Sequence, residues 1–361
     1  MATKLAVTAS SAADYDRLGL SPISIAPWED GARTDDSAGT YEWWYFDAHL
    51  ADGAKLVVSF MNKDDIAEAR KPLSPLLRLN LDLPDGRHFE KVVHYPPDSW
   101  SAAKDHADVR LGENRFTGDL HRYRIQATAE EITLDVTLIG QIPAWRPSTG
   151  YMLFGPDRSL EFAWLPSVPQ GAVTATYTVD GERHETTGVG YHDHNWGNVG
   201  LRKVVHDWYW ARGAAGPYSV IASYITSTKS YGFEPIPIFM LARDNVLVGD
   251  DPANVTFERE DVYTDHTTGK PVAATTRYTY RDGEDRYVVS FTRTQDLSTT
   301  RMVDSIKGLK RIAAKLAHFD GAYLRFVGEI EISRFRRDAL VETYENDAIW
   351  ELMYFGHARD Q

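Results

Sequence analysis

Apolar and polar residues alternate with a period of two along most of the chain, the pattern of β-strands that bury one face. The stretches 55–61, 132–139, 173–179, 219–225, 275–280, 287–292 and 325–332 are rich in Val, Ile, Thr, Tyr and Phe, side chains that suit a pleated, half-buried surface. Asp52-Gly53, Asp85-Gly86, Asp180-Gly181 and Asp282-Gly283 punctuate them, each a pair that tolerates the positive φ of a tight hairpin. Many short strands without interleaved helices predict an all-β chain of barrels or sandwiches, not a parallel α/β sheet.

One segment departs from that pattern. Between Arg301 and His318 the apolar residues Met302, Val303, Ile306, Leu309, Ile312, Ala313 and Leu316 recur every three or four positions, which predicts an amphipathic helix packed by its apolar side on a barrel. Lys307, Lys310, Arg311 and Lys315 then form a solvated basic side, which would also suit a membrane surface. Residues 1–16 carry one Lys followed by Ser, Ala and acidic residues, lack the charged head and apolar middle of a secretory signal, and read as a frayed start. No window approaches the ~20 apolar residues of a membrane span, so a soluble, cytoplasmic chain without stable membrane insertion is expected.

The length of 361 residues suits two domains at roughly 150 residues each. A weak likeness between halves agrees: Glu42-Trp43-Trp44-Tyr45-Phe46 and Asp207-Trp208-Tyr209-Trp210 each run into an apolar strand. Two consecutive β domains, 1–198 and 199–361, are expected, with a seam where Gly197, Asn198 and Gly200 loosen the chain. Lys and Arg number 39 against 52 Asp and Glu, a net charge of −13 that would repel nucleic acid. The chain has no cysteine, which excludes thiol nucleophiles, disulfides and Cys-ligated metals.

The densest chemistry lies in Gly188-Val189-Gly190-Tyr191-His192-Asp193-His194-Asn195-Trp196-Gly197-Asn198. In an extended strand His192, His194 and Trp196 share one face, and Tyr191, Asp193 and Asn195 the other. Three readings stand. His-x-His could hold a metal, but no spacing nominates a third ligand among His49, His206, His266 and His357. The side chains could simply satisfy one another in a buried seam. A carboxyl and imidazoles walled by Trp and Tyr could instead act as acid–base groups, with the aromatic faces stabilising a developing carbocation. No Gly-x-Ser-x-Gly elbow or Gly-rich phosphate loop is present, so nucleophilic-triad and nucleotide chemistry are not expected. Two further stripes are aromatic. Glu42, Trp44 and Phe46 alternate with Trp43, Tyr45 and Asp47, a pattern more typical of core than of cavity, and His206, Trp208 and Trp210 share a face in the second half.

The Tyr41–Phe46 stretch, the Tyr191 to Gly197 run and Trp208-Tyr209-Trp210 together resemble the lipocalin-like superfamily of carotenoid 1,2-hydratases and AttH-type proteins. Tocopherol cyclases and fungal lipocalin-like Diels–Alderases are its more distant members. The resemblance implies two lipocalin-like β-barrel domains, a hydrophobic pocket at or near their junction, and chemistry without a cofactor or metal on an apolar polyene or isoprenoid. The hydratase pattern matches Asp193, His194, Asn195 and Trp196. It also expects an acidic residue on the following strand, yet residues 218–225 hold none and the next carboxylate is Glu234. The expected enzyme is therefore a hydratase or cyclase, with a pericyclase and a carrier of hydrophobic ligands as alternatives. Asp193 and His194 would supply or relay the proton, and Trp44, Tyr45, His192, Asn195, Trp196, Trp208, Trp210 and Tyr224 would surround the substrate.

Overall fold

The structure, a computed structural model, describes residues 5–64, 66, 69–305 and 320–358. The chain forms two compact units, one of Val7–Lys203 and the other built on the residues from Val204 onward. In the first, the main strands are β1 (Tyr41–Leu50), β2 (Lys55–Met61), β3 (Leu76–Asp82), β4 (His88–His94), β5 (Trp100–Ala102), β6 (Ala107–Leu111), β7 (Asn114–Gly118), β8 (Arg122–Ala129), β9 (Ile132–Gly140), β10 (Leu160–Val179) and β11 (Glu182–Gly197). They hydrogen-bond in the order β4-β3-β2-β1-β11-β10-β9-β8-β7-β6-β5. Neighbours in the sheet are neighbours in sequence except at one join, where β1 pairs with β11. The sheet curls until Lys91 on β4 meets Glu130 and Glu131 in the β8–β9 turn, at 2.6 and 2.8 Å.

The second unit repeats this plan. Its strands are β12 (Val205–Ala215), β13 (Tyr218–Ser227), β14 (Pro235–Arg243), β15 (Val246–Gly249), β16 (Val255–Thr264), β17 (Pro271–Asp282), β18 (Asp285–Arg301), β19 (Ala322–Arg336) and β20 (Ala339–Tyr354). The order is β15-β14-β13-β12-β20-β19-β18-β17-β16, so again the first strand closes on the last. The Asp-Gly pairs do what their chemistry suggests: Asp180 and Gly181 take φ of 51° and 81°, the left-handed pair that turns β10 into β11.

Both interiors are solid. Trp44, Phe46, Phe60, Phe116, Tyr123 and Tyr177 anchor one core, and Tyr209, Tyr278, Phe291, Phe326, Leu352 and Trp350 the other. These curled sheets are filled by their own side chains, as small barrels are.

Two local expectations change. Residues 12–18 are not frayed: a short helix, α1 (Ala12–Leu18), is held by a capping box between Ser11 and Asp14 and stopped by Gly19 in the left-handed conformation. That S-x-x-D signature was present in the sequence. Of the amphipathic helix expected over 301–318, Met302–Ser305 is helical, and 306–319 lie outside the described residues.

One glycine fixes how the first core meets the site described below. An added Cβ at Gly118 would lie 2.0 Å from the Tyr123 ring, which is fully buried and cannot retreat. Gly118→Ala is expected to destabilise the protein by about 1–3 kcal/mol, the usual cost of overpacking, measured by urea unfolding. Unchanged stability would contradict this packing.

Candidate active site

The β11 run is extended, and its two faces are those its alternation predicts. On the inner face His192 and His194 are fully buried. The Nδ1–H of His192 donates to the Tyr45 carbonyl at 2.8 Å, and its Nε2 lies 3.2 Å from an Asp30 carboxyl oxygen. His194 Nε2 lies 2.8 Å from Glu42, and its Nδ1 is 3.4 Å from Asp30, close enough for charge attraction but poorly directed for a hydrogen bond. Tyr123 donates its hydroxyl to Asp30, and the Trp44 indole N–H donates to the Asp30 carbonyl at 2.9 Å. Glu42 accepts from the Arg33 and Thr34 N–H groups at 2.6 and 3.1 Å and from the Thr34 hydroxyl at 2.8 Å.

The electrostatics follow from these partners. Burial opposes ionisation of Asp30, but the His192 and His194 imidazoles outweigh it and hold the carboxyl well below its usual range. Burial likewise opposes a charged His194, yet Asp30 and Glu42 prevail and raise it, favouring the imidazolium. Its ring stacks on Trp44 at 4.2 Å and tilts against Trp196 at 4.7 Å.

Asp193 points to the outer face, away from both imidazoles. It accepts from Trp164 Nε1 at 2.8 Å, the Tyr191 hydroxyl at 2.7 Å and Asn195 Nδ2 at 2.7 Å. Burial pushes its pKa up despite those three donors, toward the neutral acid. No hydrogen bond joins Asp193 to His194 among the described residues. Tyr45 lies on this outer face with its ring edge against Tyr191 at 6.3 Å, whereas Trp44 belongs to the core and is 0% exposed. The second unit places Trp208 and Trp210 on the outer face of β12, opposite the core residues Tyr209 and Ala211. Trp208 meets Phe355 edge-on at 4.8 Å, and Tyr224 stacks on Phe257 at 4.2 Å beside that core.

Trp196 faces a narrow crevice of about 10 Å³ in the first unit, whose walls include Trp28, Glu29, Arg33, Tyr151 and Leu165. The Trp196 ring meets the Tyr151 ring edge-on at 5.4 Å, and burial pushes the Tyr151 phenol up to about 12, so it stays neutral. Larger in volume, at about 410 Å³, is a shallow polar concavity on the second unit lined by arginines, glutamates and hydroxyls, which does not suit an apolar substrate. Among the described residues no group of three or more His, Asp or Glu has an arrangement that could hold a metal ion. No helix among them is long and apolar enough to cross a membrane.

A family model described as Diels-Alderase-like matches residues 149–304, which contain both the His192–Trp196 run and Trp208–Trp210. The quinolone epoxide rearrangement protein asqO of Emericella nidulans is 24% identical over 288 residues, 76% of this chain and 78% of that protein. Among solved structures, CghA superposes with a TM-score of 0.63 at 16% identity, covering 99% of each chain. The chain has the lipocalin-like fold of the AttH and Diels–Alderase proteins. Kievitone hydratase from Nectria haematococca shares that fold, with a TM-score of 0.57 at 14% identity over 92% of this chain and 93% of its own.

In this lipocalin-like chain, Asp30 and Arg33 were missed by sequence reasoning. Asp30 lies in a single 3₁₀ turn, Pro27–Asp30, with nothing local to mark it, and meets His192 from 162 positions away. Glu42 did carry a signal: its place on the Trp44–Phe46 face put a carboxyl inside, where it needs a partner. The pH response follows in sign. Asp30, depressed in the fold, adds stability above its ordinary pKa of about 3.9, and that contribution is lost as pH falls through its folded value. His194, raised in the fold, adds stability that is complete below about 6.5 and lost as pH rises through its folded value. The unfolding free energy of the protein minus that of His194→Gln should therefore be flat from pH 5 to about 6.5 and shrink above it. A difference independent of pH up to 9 would refute the imidazolium.

Proposed function

We propose that this protein is a biosynthetic enzyme that needs no cofactor or metal and acts on an apolar polyene or isoprenoid-type small molecule by acid-catalysed hydration or cyclisation. The observation that carries this reading is on β11. Adjacent residues are both shifted in the direction that retains a proton, His194 toward its charged form and Asp193 toward its neutral form. A group that holds its proton until the substrate takes it is what protonation of an alkene or an epoxide requires. Trp196 beside His194, with Tyr151 and Trp28 along the crevice that Trp196 faces, offers aromatic faces to developing positive charge. The relatives named above, a rearrangement protein and a hydratase, are compatible with such chemistry.

A second reading, pericyclic cyclisation, draws on a different observation. Both candidate acids are engaged by protein partners, whereas the groups on the crevice wall, Arg33 and Tyr151, can polarise a carbonyl without giving up a proton. There, orientation of the reacting ends would supply most of the rate. A carrier role is disfavoured by the core side chains that occupy both sheet interiors among the described residues.

Replacing Asp193 with Asn separates the two enzymatic readings. Proton donation predicts a fall in turnover of roughly a hundredfold or more, with loss of one limb of the pH–rate profile and of the solvent isotope effect. Turnover close to that of the unaltered protein would remove Asp193 as donor and favour the pericyclic reading.

A further inference from the structure

Three donors hold Asp193, and they divide unevenly between its two oxygens. Oδ2 accepts from Trp164 Nε1 at 2.8 Å and from the Tyr191 hydroxyl at 2.7 Å, whereas Oδ1 accepts from Asn195 Nδ2 alone among the described residues, at 2.7 Å. A neutral carboxyl has one carbonyl oxygen, the better acceptor, and one hydroxyl oxygen, which must itself donate. Two donors mark Oδ2 as the carbonyl. The proton therefore belongs on Oδ1, where the neighbour it meets is the Asn195 amide.

The surroundings fix two of the partners and leave the third a choice. Trp164 lies on β10 in register with Asn195, is buried, and meets the Trp145 ring edge-on at 6.3 Å. Its indole can only donate. Tyr191 is fully buried on the same strand face as Asp193, against Tyr45, the register partner of Asp193 on β1. Asn195 carries an N–H2 that suits a carboxylate and a carbonyl that suits a carboxylic acid, and a half-turn at the end of its side chain exchanges them. The ionisable groups near Asp193 are Tyr191 and Tyr45, buried Asp47 opposite Tyr191 on β1, and His192 on the inner face of its own strand, while β10 brings Trp164, Leu165 and Val168. Among the described residues no Lys or Arg forms an ion pair with Asp193, so burial prevails over the three donors and favours the neutral acid.

We propose that Asn195 is the positioning residue of this acid: its amide turns its carbonyl toward the proton on Asp193 Oδ1 and turns its N–H2 back when that proton leaves. The proposal rests on the acid-catalysed reading above and deepens it. In the transfer the Oδ1–H bond breaks and its electron pair stays on Oδ1, while the π electrons of the alkene form the new C–H bond. The carboxylate left behind accepts from Trp164, Tyr191 and Asn195 together, so the turn stabilises the ion that the step creates. The proton returns to Oδ1 from the water that adds or, in a cyclisation, from the carbon next to the cation.

Neutron diffraction from crystals of the deuterated full chain at about pH 5, above the ordinary aspartate pKa of about 3.9, reads these positions directly. A deuteron is expected on Asp193 Oδ1, with the Asn195 carbonyl facing it. In solution, carbon-13 NMR of the aspartate carboxyls, with Asp193→Asn for assignment, gives the titration midpoint. Trp164→Phe and Tyr191→Phe each remove a donor to the ionised form and should raise that midpoint by about one unit or more. Asn195→Leu removes a partner of both forms and should move it by less than half as much. A deuteron on Oδ2, an amide nitrogen still facing a protonated Oδ1, or an Asn195→Leu shift as large as that of Trp164→Phe would overturn the positioning role and leave the acid reading standing. An ionised Asp193 in the crystal would contradict the acid reading itself, and this inference with it.

Discussion

The first unit is organised around one buried carboxylate. Asp30 accepts from Tyr123 on β8, lies against His192 and His194 on β11, and through its carbonyl anchors Trp44 on β1. An ion in a protein core is tolerable only when its charge and lone pairs are answered, and here three strands and one turn combine to answer it. The same arrangement fixes the site. Glu42 closes the cluster from β1, and its carboxyl in turn holds the backbone of Arg33 and Thr34. The Pro27–Asp30 turn and the chain that follows it are thereby clamped over the open side of the sheet, which brings Trp28 and Arg33 into line with Trp196. Removing one member of such a cluster leaves the others uncompensated, so the network behaves as a unit and its members are not separable contributions.

Much of this could be read from the residues in order. The alternation located the strands, and at Lys55–Met61 it located both ends. It also assigned the two faces of β11, because period two is a geometric property of extended chain. Long-range pairing is where such reading stops. The distant partner of His192, the closure of β1 on β11 and that of β12 on β20 are decided by tertiary packing, for which adjacent residues carry no mark. Register was lost the same way. The Trp43-Trp44 and Trp208-Tyr209 pairs look alike as text, yet Trp44 and Tyr209 fill cores while Trp208 turns outward. The Ser11–Asp14 cap was legible and simply outweighed by the polar composition around it.

The shared plan of the two units bears on how the chemistry is distributed. Each closes its first strand on its last, and each carries an aromatic cluster on that first strand. Among the described residues, the join of the first unit holds two imidazoles and two carboxyls in one cluster. In the second, the interior of the join is mostly apolar, Tyr209 with Trp350 and Leu352, and carries a single buried carboxyl, Asp207, beside His206. The ion cluster is thus a specialisation of one copy of a repeated scaffold, consistent with function residing in a site grafted on a fold. Among the described residues, apolar side chains pack the interior of each sheet.

The charge state of His194 decides most, since an imidazolium between Asp30 and Glu42 underlies both the stability of the cluster and the acid chemistry proposed for β11. Nitrogen-15 NMR of the histidine side chains at pH 7, with His194→Gln to assign the resonance, reads that state directly. Both ring nitrogens of His194 should be protonated, with shifts that hold until well above the ordinary histidine pKa of about 6.5. A neutral ring with one bare nitrogen at pH 7 would contradict the account.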